Sequence, residues 1–150
     1  MILNIVLGFV VPWTICIIHL YKKEKLLLLL VAPFFCVVAY TINTFGFYFG
    51  FWEVIPFPTQ KNLASLPFDL GIFPILASYL IFFIRKIKKP YFIVFLMTLF
   101  TTFLELIFVY FGRVIYGHGW NIYLTFFSYL FPYFFVYGYY KYLIKLNVLK

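Results

Sequence analysis

The chain has 150 residues, 66% hydrophobic and 11% charged, with a net charge of +8. Soluble domains run nearer half apolar and a quarter charged, so this composition excludes a water-soluble fold and makes lipid the solvent. In hydrocarbon every backbone amide needs an internal partner. Only helices or a closed barrel meet that demand, and continuous apolar runs of about 18–25 residues fit helices rather than short alternating strands.

Five spans are expected, at 2–20, 26–51, 67–84, 90–111 and 121–140, forming one all-α transmembrane bundle over the whole chain. The first begins almost at Met1, with no basic residue before it and no small-residue cleavage site after it, so it reads as a retained span rather than a removable signal. Cys16 and Cys36 lie inside spans at depths of about 6 and 15 Å by helix rise, too different for a disulfide. The connection at 21–25 carries Lys22, Lys23 and Lys25; that at 85–89 carries Arg85, Lys86, Lys88 and Lys89; the tail carries Lys141, Lys145 and Lys150. The alternate connections hold only Lys61 and Arg113. Ten basic residues against two predict, by the positive-inside rule, an N-terminus outside and a C-terminus inside a multi-pass protein of the cell membrane. Because the charge is divided among short juxtamembrane clusters, anionic headgroups and not nucleic acid are its expected partner.

Along the spans the polar residues are few. Asn43 lies about 25 Å into span two. The connection from Trp52 to Leu66 carries Glu53, Pro56 and Pro58 and is long enough to cover a mouth. Ser65 and Pro67 are expected to cap and start span three, with Asp69 in its first turn complementing the helix dipole. In span four, Thr98, Thr101, Thr102, Glu105 and Gly112 recur at helical spacing and predict one inward stripe on a helix at the centre of the bundle. Glu105, about 22 Å from the start of that span, cannot face acyl chains without a cost of several kcal/mol. Arg113 follows as a counter-charge for Glu105 or Asp69, and His118, Trp120 and Asn121 stand at the entrance to span five. Pro74 and Pro132 should kink spans three and five. These groups gather in the outer third of the bundle, which predicts an outward polar pocket formed by Glu105, Asp69, Arg113, Asn43, Trp120, Asn121 and His118.

An internal repeat is also visible. Tyr48-Phe49-Gly50 matches Tyr110-Phe111-Gly112 at an offset of 62, which places Asn43 opposite Glu105, and Phe73-Pro74 matches Phe131-Pro132 at 58. Spans two and three would then repeat as four and five, in the same direction, with a shortened second loop.

The run Leu66-Pro67-Phe68-Asp69-Leu70, the span holding Glu105, and Trp120-Asn121-Ile122-Tyr123 followed by Phe126 and Tyr129 resemble an uncharacterised family of small membrane proteins of spore-forming Firmicutes. The resemblance covers nearly the whole chain and implies a five-span bundle without an assigned activity. Asn43 stands where many members would carry an acid. A fainter likeness is to membrane-embedded carotenoid cyclase domains, whose double-glutamate motif this chain lacks.

No phosphate-cradling glycine loop, nucleophile elbow, HExxH or Cys/His metal spacing occurs, so no metal or cofactor is expected. Three functions fit these residues. The first is a module binding a small ligand, a lipid or a protein partner, including another copy of itself, in the polar pocket. The second is a lipid- or isoprenoid-active enzyme using Glu105 or Asp69 as acid/base. The third is a structural or assembly subunit whose polar groups only join helices.

Overall fold

The computed structural model describes residues 1–149; Lys150, the last basic residue of the tail, lies outside the described residues. The chain is all-α apart from two three-residue strands. In order it forms α1 (Ile2–Tyr21), α2 (Lys25–Tyr48), β1 (Trp52–Val54), α3 (Lys61–Leu70), α4 (Ile72–Ile87), α5 (Pro90–Tyr110), β2 (Val114–Tyr116) and α6 (Ile122–Lys145). α1 is continuous but contains π-helical turns at Val6–Val10 and Ile17–Tyr21. Four helices are long and apolar enough to cross a membrane: α1, α2, the joined α3–α4 and α5. α6 has the length, at 24 residues, but seven of them are tyrosine, which makes it less apolar.

The repeat seen in the sequence is present in the backbone. α2 and α5 both end in a glycine with positive φ, Gly50 at 68° and Gly112 at 65°. In each, the glycine N–H bonds back to Phe47 or Val109, and the next N–H reaches Gly46 or Phe108, completing a Schellman cap. Every one of these residues matches its counterpart at an offset of 62. The caps turn the chain into β1 and β2, which pair antiparallel with Glu53 opposite Ile115, themselves 62 apart. The flanking bonds obey the same symmetry: Ile55 N donates to Arg113 O, and Gly117 N to Phe51 O. A pseudo-twofold axis therefore passes through the centre of this ladder, and the two helix–strand–helix units lie around it. Gly112 sits beyond the helix and exposed, so it is a cap and not part of the inward stripe on α5.

Strand side chains alternate between faces. Trp52, Val54 and Val114 of the sheet line the space beneath it, whereas Ile115 is exposed and Glu53 pairs with Lys61 at 2.6 Å. The sheet thus lies across the end of the bundle where α2 and α5 finish and α3 and α6 begin. The lysine-rich connections lie at the other end, where Arg85 and Glu24 pair at 2.9 Å.

Span three differs from expectation. Its helix starts at Lys61, not at Pro67, so Pro67 is internal and Ser65 caps nothing. Asp69 is consequently near the end of α3, where the dipole argument no longer applies. The helix breaks at Gly71, whose missing Cβ lets the Gly8 carbonyl of α1 approach. Pro74 has no N–H to offer the Leu70 carbonyl four residues earlier, and the Trp13 indole of α1 supplies the donor at 2.9 Å. Asn4, fully buried, completes the attachment of α1 by donating to Ile55 O at 2.8 Å and Ala64 O at 3.0 Å.

The third span, not the fourth, is the central one: 61% of its apolar stretch is buried, against 33% for α5. Its α4 segment carries Ala77, Leu80, Ile81 and Ile84 into a core shared with Leu27, Val31 and Phe35 of α2, Ile93, Val94 and Met97 of α5, and Tyr133, Val136 and Tyr140 of α6. Phe and Leu ring the threonine stripe of α5 too broadly for that helix to be enclosed; Phe95, Phe100 and Phe103 remain exposed.

Candidate functional site

Two hydrogen-bond networks lie beneath the sheet, one in each repeat. In the first, Asn43 Nδ2 donates to Asp69 Oδ1 at 2.6 Å, Ser65 Oγ donates to Asp69 Oδ2 at 2.9 Å, and the Trp52 indole donates to Asn43 Oδ1 at 3.0 Å. The indole can only donate, so it fixes which end of the Asn43 amide faces Asp69. Asp69 is fully buried, with both oxygens satisfied by neutral donors.

In the second network the carboxylate is Glu105. Tyr129 OH donates to its Oε2 and Tyr116 OH to its Oε1, the latter at 2.8 Å. Thr125 Oγ1 donates to Tyr116 OH at 2.9 Å and accepts the Trp120 indole N–H at 2.8 Å. Its own separation from Glu105, 3.4 Å, is longer, so the continuous path runs from Trp120 through Thr125 and Tyr116 to the acid. Burial first, and then the neighbouring Glu105 carboxylate, push the Tyr116 phenol above its ordinary range, which keeps it a donor.

The networks are counterparts. Asn43 and Glu105 share the offset of 62, and the pairs Ser65/Asp69 and Thr125/Tyr129, each four residues apart on the second helix of a unit, share an offset of 60. Each network holds one carboxylate, one neutral partner across the helix pair and one tryptophan. Trp52 and Trp120 meet at 4.8 Å between ring centroids, inclined by 60°.

Of the residues expected at a shared site, Asn43 and Asp69 are bonded to one another, and Glu105 and Trp120 belong to the second network. Arg113 joins neither. Helix α5 ends before it, its backbone is taken up by the cap and the ladder, and among the described residues its side chain forms no ion pair. Asn121 caps α6, accepting the Tyr123 and Leu124 N–H groups at 3.0 and 3.1 Å. His118, exposed and at φ 46°, donates from Nδ1 to Phe49 O at 2.7 Å and so clasps the α2 cap. Tyr116 and Thr125 were not singled out from sequence. Thr125 could have been found as the partner of Ser65 in the repeat; Tyr116 is one of 14 tyrosines, and only the ladder brings it over Glu105.

A cavity of about 90 Å³ separates the networks. Glu105, Tyr129, Asn43, Trp52 and Trp120 line it, with Phe73 and Phe108 among the apolar walls. Among the described residues no Lys, Arg or His contributes to its lining. The sheet closes the end where the sequence led us to expect a mouth. Beside the cavity a wholly apolar depression of about 480 Å³ runs between α2 and α6, sharing Ile42, Trp52, Trp120, Ser128 and Pro132 with it. The two helices touch nearer the lysine-rich end, where Phe34 stacks on Tyr139 at 3.9 Å, and part toward the sheet. Exposed Phe45, Phe49, Phe131 and Phe135 edge this groove.

Among the described residues no three His, Cys, Asp or Glu side chains cluster as metal ligands, and both cysteines are free. Comparison with protein-family models, with curated proteins and with solved structures gives no match.

Proposed function

We propose that the chain is a five-span protein of the cell membrane, N-terminus outside, that takes a membrane amphiphile from the side. The apolar body of the ligand would lie in the groove between α2 and α6 and its polar end against Glu105 beneath the sheet. The observation that carries this reading is the junction of a largely apolar groove between α2 and α6 with a small, partly open cavity lined by a carboxylate. A lipid partner suits the groove because its rim is exposed phenylalanine. The same proposal takes in the basic end of the bundle as the face held against anionic headgroups, and the resemblance to the five-span Firmicutes family.

The hydroxyl path from Trp120 to Glu105 favours a second use of the same site, in which Glu105 exchanges a proton with the bound amphiphile as a general acid/base. Turnover of that amphiphile by the purified protein separates an enzyme from a binding module.

Ser128 lines both the cavity and the groove, so Ser128→Phe should fill the passage between them. Protein extracted with its surrounding lipid is expected to retain one equivalent of amphiphile after exchange into detergent, detected by mass spectrometry, and Ser128→Phe to lose it while keeping its helical circular dichroism. Equal retention by both proteins, or a second copy of the chain cross-linked in the groove, would overturn the reading.

A further inference from the structure

We infer that the polar end of the ligand is a cation, an alkylammonium group, held between Glu105 and the faces of Trp52 and Trp120. This rests on the reading that an amphiphile occupies the groove and cavity, and it names the class of headgroup.

Four observations converge. A carboxylate offers about four acceptor positions, and Tyr116 and Tyr129 fill two of those on Glu105, leaving capacity toward the cavity it lines. All of its donors are neutral, and among the described residues no Lys, Arg or His lines the cavity or forms an ion pair with the acid. Each indole N–H is already committed, Trp52 to Asn43 and Trp120 to Thr125. Their polar edges are thereby occupied; Phe51 stacks on Trp120 at 4.8 Å and the two indoles meet edge to face, so what remains of the rings for the lining is apolar aromatic surface, the element that attracts cations. Finally, Asn43 presents an amide whose carbonyl end is taken by Trp52 and whose NH₂ is directed at Asp69. What is left is a single neutral N–H, with no cationic side chain beside it in the lining to hold a phosphate.

An anionic headgroup would meet the opposite conditions: a carboxylate of like sign, no basic residue and an apolar wall. A neutral alcohol could bond to Glu105 but would gain nothing from the indole faces. The cavity has room for a headgroup of a few heavy atoms, since a single water needs only about 10–15 Å³ of such space.

The test compares three amphiphiles with one tail, hexadecylamine, hexadecanol and hexadecyl phosphate, added to the full chain in an uncharged maltoside detergent. Binding is read by native mass spectrometry and by thermal unfolding. The overall charge of +8 favours the phosphate at every surface site, so a preference for the amine must come from a local acid. Hexadecylamine is expected to bind one to one and at least tenfold more tightly than hexadecanol, with the phosphate weakest. Glu105→Gln should abolish the advantage of the amine while changing hexadecanol binding less than twofold. Trp120→Leu should reduce the ratio of amine to alcohol binding in the same direction, which keeps a variant available if Glu105→Gln does not fold. Should hexadecanol or hexadecyl phosphate bind as well as the amine, or Glu105→Gln retain the preference, the assignment of a cation is wrong while the amphiphile reading stands. If none of the three binds, both are wrong.

Discussion

Removing the Tyr129 hydroxyl probes the Glu105 network most directly. In Tyr129→Phe the ring stays and only the donor to Glu105 Oε2 is lost, so an acceptor facing the interior is left without that partner. Hydrogen bonds to a charged group are worth about 1.5–3 kcal/mol, but measured couplings between transmembrane helices average about 0.6 and reach about 1.7 kcal/mol. The enclosed position of this pair places the expected Glu105–Tyr129 coupling in the upper part of that range, about 1–1.7 kcal/mol. Arg113, which pairs with neither acid, should be additive with Glu105 to within about 0.5 kcal/mol. The assay is a pair of double-mutant cycles, Glu105→Gln with Tyr129→Phe and Glu105→Gln with Arg113→Gln. Reversible unfolding by SDS in mixed micelles, followed by circular dichroism, supplies the free energies. A Glu105–Arg113 coupling as large as the Glu105–Tyr129 coupling would refute the separation of Arg113 from the site. Additivity of Glu105 and Tyr129 would refute the network itself.

The twin caps give a second comparison. Gly112→Ala meets open space and only the backbone cost of positive φ, about 1–2 kcal/mol, whereas Gly50→Ala also drives a Cβ to 2.5 Å from His118 Nδ1 and should lower the unfolding temperature further; the reverse order would contradict the clasp. At Gly46 an added methyl falls on the Trp52 indole, so Gly46→Ala should cost about 1–3 kcal/mol and shift tryptophan emission as the ring leaves Asn43; unchanged emission would show that Trp52 is not held there. For topology, with Cys16 and Cys36 replaced by alanine, Glu53→Cys should react with an impermeant maleimide on intact cells and Lys86→Cys only after permeabilisation. Labelling of Lys86→Cys from outside would invert the orientation.

The apolar helices were readable because each depends on composition over a whole segment. The strands were not: three residues each, Trp52–Val54 and Val114–Tyr116 carry no periodic pattern, and they pair only because two caps sixty residues apart release the chain at one level. Asp69 was singled out as a polar group beside the loop that proves to carry the sheet, but it was given the wrong support, since Ser65 and Pro67 mimic a helix start that in fact lies at Lys61. Ser65 instead donates to Asp69 itself. Arg113 was read as a counter-charge by matching opposite charges along one helix; the glycine before it ends that helix, and Arg113 stands in the turn that leads into β2. The inward threonines of α5 were legible from spacing, but a stripe cannot say how much of the remaining circumference meets lipid, and Phe95, Phe100 and Phe103 do.

Duplicated architecture with unequal residues gives the cavity its direction. Each unit keeps one acid bonded to neutral donors, an arrangement that needs no buried cation and avoids two facing carboxylates. The acid, however, has changed helices. In the first unit it is Asp69, on the helix after the strand, shut behind Asn43 and Ser65 and fully buried. In the second it is Glu105, on the helix before the strand, and there it borders the empty space. Across the pseudo-axis the cavity is therefore bordered by a carboxylate on one side and an amide on the other, although the caps and strands are alike on both. Backbone symmetry builds the chamber and its roof; the exchange of acid and neutral partner between positions 43 and 105 makes one wall of it acidic, and in the proposed function that wall would set which way round an amphiphile lies.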